Sequence, residues 1–210
     1  MNLQRYLLQY KHNCTILPGM QLNLIPQKDL RTIKALSLGG TSLKTRRKIA
    51  RPLFPGKITH VVFKSSKAKG DLSFYKNKHL VTKLLREKSR KFFIEIIEWV
   101  NMGNHLHLKV RFKDKKRMGQ FLKSFAATLA RAITGARRGR KFGKFWDGLV
   151  YTRTLFTKIE ELGLRGYFEG NRRQRELGYQ ERERYLRSFN QFLYRLRRTK
   201  ARPQNQIQME

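Results

Sequence analysis

Two histidines, His105 and His107, stand one residue apart in the run Asn104-His105-Leu106-His107-Leu108. On a strand that spacing sends both rings to one face, close enough to share an ion. A divalent metal held there would polarise a phosphate oxygen and offset the charge that builds up on phosphorus. Such chemistry still needs a nucleophile. Tyr167 and Asn171 are four residues apart, so on a helix they lie one above the other. A tyrosine hydroxyl can attack phosphorus and store the bond energy as a covalent protein–DNA ester. An asparagine oxygen beside two imidazoles makes a mixed nitrogen and oxygen site suited to Mg²⁺ or Mn²⁺. Tyr151, Tyr185 and Tyr194 carry the same hydroxyl, and residue chemistry alone does not choose among the four. The bland alternative is a pair of surface histidines in a basic protein.

The elements that must position these groups can be read from periodicity. Residues 57 to 64 (KITHVVFK) are rich in β-branched side chains and predict a strand. Residues 75 to 90 put Leu80, Val81, Leu84 and Leu85 on one helical stripe. Phe92 to Val100 predicts a second strand, and a turn at Met102-Gly103-Asn104 leads into a third from Asn104 to Lys113. There Leu106, Leu108, Val110 and Phe112 alternate with His105, His107, Lys109 and Arg111. One face should pack on helices while the other stays open and polar. Glu95 and Glu98 lie on the neighbouring strand, where alternation sends them to opposite faces, so at most one could reach a shared ion.

Asp114 is a candidate N-cap for a helix carrying Met118, Phe121, Leu122, Phe125 and Leu129 and ending near Gly135. Trp146 to Leu155 predicts a fourth strand. Residues 156 to 171 predict a helix weakened by Gly163, Gly166 and Gly170, because each glycine costs up to about 1 kcal/mol relative to alanine. After residue 178 a basic amphipathic helix follows, with Leu186, Phe189, Leu193 and Leu196 on one face. The order is strand, helix, strand, strand, helix, strand, helix. It implies an α+β, ferredoxin-like (split βαβ) antiparallel sheet with helices on one face. A basic N-terminal tail and a C-terminal helix flank it.

Composition points to the partner. The chain of 210 residues has 48 Lys+Arg against 14 Asp+Glu, a formal charge of +34, with 40% apolar residues. A core is affordable, and the surplus charge calls for a polyanion, DNA or RNA, whose counterions are released on binding. Residues 1 to 56 hold ten Lys or Arg and one acid, Asp29, and read as a largely irregular extension, within which Met20 is a second candidate start. Cys14 is alone, so neither an internal disulfide nor a multi-cysteine zinc site is expected. No apolar run reaches about 18 residues and no signal-peptide core is present, so a cytoplasmic protein without a membrane contact is expected.

The run Trp99 to Leu108 resembles the histidine–hydrophobic–histidine signature of the HUH endonucleases. More closely, the chain resembles the REP-associated tyrosine transposases, relatives of the small single-tyrosine insertion-sequence transposases. Further blocks match in the family's order: Gly39-Gly40 with KTRRKIARPL, THVVFKSSKAKG (59 to 70), GNHLHLKVRF (103 to 112), TGARRGRKFGKFWD (134 to 147) and Tyr167-x-x-x-Asn171. They span roughly residues 39 to 175, and the HLH and FWD blocks are specific in combination. The resemblance implies that His105 and His107 ligate a divalent metal, that Asn171 completes its site, and that Tyr167 is the nucleophile. It also implies a single-stranded or hairpin DNA substrate and a 5′-phosphotyrosine intermediate. The corresponding organisation is an extension over 1–56, a catalytic domain over 57–175 and a basic helix and tail over 176–210, working as a monomer or homodimer.

Candidate DNA contacts are Arg46, Arg47, Lys48, Lys109, Arg111, Arg137, Arg138, Arg140, Lys141 and Lys144, with Arg195, Arg197 and Arg198 farther along. Each has solvated positive surface as its plainer reading. Phe145 and Trp146 are either a base-stacking pair or core. A non-catalytic nucleic-acid-binding protein is the competing function. RNA-binding sheets of this topology usually expose aromatics on their central strands, whereas here the third strand offers His, His, Lys and Arg. Replication initiators and relaxases share the histidine pair but tend to be larger and to place the nucleophile elsewhere.

Overall fold

The computed structural model describes residues 37–40 and 51–200, with side chains from 51 to 196. In chain order the elements are β1 (Ser37–Gly40), β2 (Ile58–Lys64), α1 (Lys78–Phe92), β3 (Ile94–Asn101), β4 (His105–Phe112), α2 (Lys115–Thr134), β5 (Leu149–Leu155), α3 (Lys158–Leu177) and α4 (Tyr179–Lys200). The strands form one antiparallel sheet in the order β1-β5-β2-β4-β3. From β2 to β5 this is the ferredoxin-like arrangement. Strand β1 was not foreseen in the basic extension, and it adds an edge beside β5. The strand expected to begin at Trp146 begins at Leu149, because Phe145 is drawn into the core and the Trp146 indole N–H donates to Ala126 O at 3.0 Å.

The apolar face of the sheet follows the alternation. Val61 and Phe63 of β2 and Leu106, Leu108, Val110 and Phe112 of β4 pack under α1 (Val81, Leu84, Leu85) and α2 (Met118, Phe121, Leu122, Phe125, Leu129). Burying each such side chain contributes about 1.5–3 kcal/mol. Helix α2 starts where Asp114 accepts the Arg117 N–H at 2.6 Å and stops at Gly135, whose φ of 65° suits a left-handed cap.

The chain divides into two units after Glu161, within α3. The second consists of the rest of α3 and α4. Two of its glycines, Gly166 and Gly170, are contact positions. A Cβ on Gly166 would lie 2.0 Å from the Phe189 ring, and one on Gly170 would lie 2.9 Å from Leu186. The helix expected to be weakened by them runs unbroken to Leu177, because glycine here lets α4 approach closely. Gly119, on α2, meets nothing within 4 Å. Gly119→Ala should therefore raise stability by about 0.5–1 kcal/mol in urea unfolding, while Gly166→Ala should lower it. Two changes of the same sign would contradict this assignment.

Candidate functional site

Strand β4 enters from a tight turn. Asn101 donates to Phe74 O at 2.7 Å and accepts the Gly103 N–H at 2.9 Å. Gly103 has φ of 83°, and a Cβ there would strike the Tyr75 ring at 2.8 Å. The next residues are Asn104 and His105. The rings of His105 and His107 then stand 4.8 Å apart, centre to centre, and nearly perpendicular at 89°. This is the pairing that their spacing called for.

Each histidine is gripped at Nδ1. His105 Nδ1 lies 2.6 Å from Asn104 Oδ1, an oxygen that can only accept, so Nδ1 carries the hydrogen, and in the neutral ring the lone pair is then on Nε2. His107 Nδ1 lies 3.1 Å from Nε2 of His60, a residue of β2 that sequence reasoning missed. In the β2–β4 register His60 faces Lys109, with His107 as its diagonal neighbour. The two rings are near parallel, at 24° and 5.3 Å between centres. His60 is fully buried. Burial, and then the nearby Arg153 guanidinium, hold its pKa down at about 3, so the ring is neutral and has one donor and one acceptor nitrogen.

The histidine face is not open, contrary to expectation: His105, His107 and Lys109 are 7%, 1% and 7% exposed. The first turn of α3 is tied to this face by two ion pairs, Arg153 Nη2 to Glu160 Oε1 at 2.7 Å and Lys109 Nζ to Glu161 Oε1 at 2.8 Å. Glu160 also accepts the Thr157 N–H at 3.1 Å, and the Thr157 hydroxyl accepts the Glu160 N–H at 3.1 Å. That reciprocal capping box was legible as Thr157-x-x-Glu160 and was overlooked.

The expected separation of Glu95 and Glu98 also fails. A bulge between Ile96 and Glu98 sets Glu95 opposite Arg111 and Glu98 opposite Lys109, so both glutamates share the histidine face. Arg111 pairs with Glu95 at 3.2 Å and is exposed. Lys109 is buried on Glu161 rather than presented outward. Arg137, Arg138, Arg140, Lys141 and Lys144 are all exposed, around a turn bridged between Arg137 and Arg140. Arg46, Arg47, Lys48, Arg197 and Arg198 lie outside the residues whose side chains are described.

Of the tyrosines, Tyr151 lies on β5 with its ring edge-on to His60 at 6.2 Å. Tyr194 is exposed on α4. Tyr185 stacks on Phe189, and its phenol is pushed up by burial and then by Glu169, which makes it harder to ionise. Tyr167, in the second unit, is half-buried with the Arg182 guanidinium 6.0 Å over its ring. Asn171, one turn on, is buried, and its Nδ2 has no hydrogen-bond partner. Among the described residues no three His, Cys, Asp or Glu side chains are grouped to hold a metal. The histidine pair fits the first two places of a site, since both Nδ1 atoms are engaged, but an ion there needs a further ligand of another kind.

The model of a family described as IS200-like transposases matches residues 57–162, from the start of β2 into α3, and includes the histidine strand. The chain belongs to that family. It is a transposase by family, and such proteins bind DNA and generally depend on a divalent metal. No match was found among curated proteins. The matched segment ends before Tyr167 and Asn171. Among the described residues no helix is long and apolar enough to cross a membrane.

The neutral His60 has a consequence for acid stability. Its ordinary pKa is near 6.5 and its folded value about 3. Between these the unfolded chain binds a proton that the folded protein does not, so the contribution is complete above about pH 6.5 and is lost as pH falls toward 3. In urea unfolding without metal, the wild type should lose stability over pH 6.5 to 4.5 more steeply than His60→Gln, by roughly one proton. Equal slopes would refute a neutral buried His60.

Proposed function

We propose that this transposase cuts and rejoins DNA through a covalent tyrosine intermediate, with Tyr167 as nucleophile and His105, His107 and Asn171 as ligands of Mg²⁺ or Mn²⁺. The observation that carries it is the histidine pair itself. Two rings 4.8 Å apart share one face and each is hydrogen-bonded at Nδ1, so ligation would be through Nε2 of both. The bound ion would polarise a non-bridging phosphate oxygen of the scissile bond. The phenol of Tyr167 gives its proton to solvent and its oxygen bonds to phosphorus. The P–O3′ bond breaks, and the departing 3′ oxygen takes up a proton, leaving a 5′-phosphotyrosine. Attack by a 3′-hydroxyl on that ester reverses the step and joins strands.

Tyr167 and Asn171 sit one turn apart on α3 and repeat the Tyr-x-x-x-Asn step of the resemblance. The substrate is single-stranded or hairpin DNA, with the exposed cations of 137–144 on its phosphates. Residues 57–175 act as the catalytic domain between basic flanks.

Tyr151 is the second reading for the nucleophile, favoured by its place beside His60. Incubation with hairpin DNA and Mn²⁺, followed by a denaturing gel and peptide mass spectrometry, decides between them. Wild type should give an adduct on Tyr167, and Tyr167→Phe none. Loss of an outer partner of a metal ligand already costs about 10–100-fold, so His105→Ala should lose roughly a hundredfold or more. An adduct on Tyr151 moves the nucleophile, and binding that ignores EDTA with no adduct at all points to a non-catalytic DNA-binding protein.

A further inference from the structure

His60 has no part in the reaction described above, yet it is fully buried on the histidine face and aims a ring nitrogen at His107. We propose that His60 is a positioning residue: it accepts the Nδ1–H of His107, fixing that ring's tautomer and orientation so that Nε2 is presented for metal. The inference rests on the metal-site reading given under Proposed function.

Three observations support it. First, the contact is a hydrogen bond between two ring nitrogens, 3.1 Å apart, across two paired strands. One nitrogen must carry the hydrogen and the other must accept it. With its Nε2 engaged in this way, His60 directs that nitrogen at His107 and not at an ion. Second, Asn104 performs the same office for His105 from a different element, and there the direction is fixed because a carboxamide oxygen only accepts. Both ligand rings then carry hydrogen at Nδ1 and a lone pair at Nε2. Third, the His60 ring is held from several sides. It lies near parallel to His107, edge-on to Tyr151 and across from Arg153 on β5. A ring so confined can hold its neighbour at a set angle, which is what outer partners of metal-binding histidines do.

The test begins without metal. In ¹⁵N-labelled wild-type protein, side-chain correlation spectra at neutral pH should show His105 and His107 both as the Nδ1–H tautomer. His107 found as the Nε2–H tautomer would overturn the proposal, and this reading needs no variant to fold. His60→Leu, which cannot accept a hydrogen bond, should release His107 into a mixture of tautomers and weaken Mn²⁺ binding by about 10–100-fold in a calorimetric titration. His60→Gln, which keeps an acceptor, should recover most of both. Should His60→Leu not fold, the wild-type tautomer and the His60→Gln titration carry the test, and a Gln variant with a mixed His107 tautomer counts against it. His60→Leu with unchanged tautomer and unchanged Mn²⁺ affinity refutes a positioning role while leaving the metal site standing. If His105→Ala binds Mn²⁺ as tightly as wild type, the metal-site reading fails instead, and the tautomer result stands by itself.

Discussion

The pairing of β2 with β4, with Val62 opposite His107, is the contact on which the rest of the molecule is arranged. Side chains alternate across a strand, so this register puts Val61 and Phe63 with Leu106, Leu108 and Val110 under the helices. It puts His60 with His105 and His107 on the other side. A slip of one residue would move the imidazoles into the core and the leucines out of it. Several buried apolar side chains, each worth about 1.5–3 kcal/mol, resist that slip. The precision of the histidine cluster is thus secured by hydrophobic burial on the face that does no chemistry.

The histidine face carries the opposite kind of energetics. Arg153 and Glu160 are both buried, whereas Lys109 is buried against a Glu161 that stays in contact with solvent. A buried ion pair such as Arg153–Glu160 is a poor source of net stability, because desolvation offsets the attraction, but losing one partner strands a charge at a cost of about 3–5 kcal/mol. What these two pairs supply is position. Glu160 closes the capping box of α3 and also holds Arg153, so one carboxylate fixes where the helix starts and which strand it starts against. The same Arg153 faces His60 across the strands and helps keep that ring neutral.

The helical pair after Glu161 solves a different problem. Gly166 and Gly170 cost helix propensity, and that cost is balanced by the approach of Phe189 and Leu186 to the backbone there. Propensity is a property of one helix, whereas close approach belongs to two, which is why the glycines looked like a weakness until α4 was in view.

Local repeats determined what the sequence by itself could settle. The 2-residue period of β4, the helical stripes of α1 and α2, the Asp114 cap and the order of elements all arise from backbone geometry within a few residues, and they lead to the ferredoxin-like sheet and the facing pair His105 and His107. Tertiary structure alone decided the rest. His60 joins His107 from 47 positions away through strand register. A bulge at β3 brings Glu95 and Glu98 to one face against simple alternation. Glu160 and Glu161 close over a face that alternation marks only as polar. Register, bulges and buried charge pairs depend on which distant segments meet, and no local period in the chain encodes that meeting.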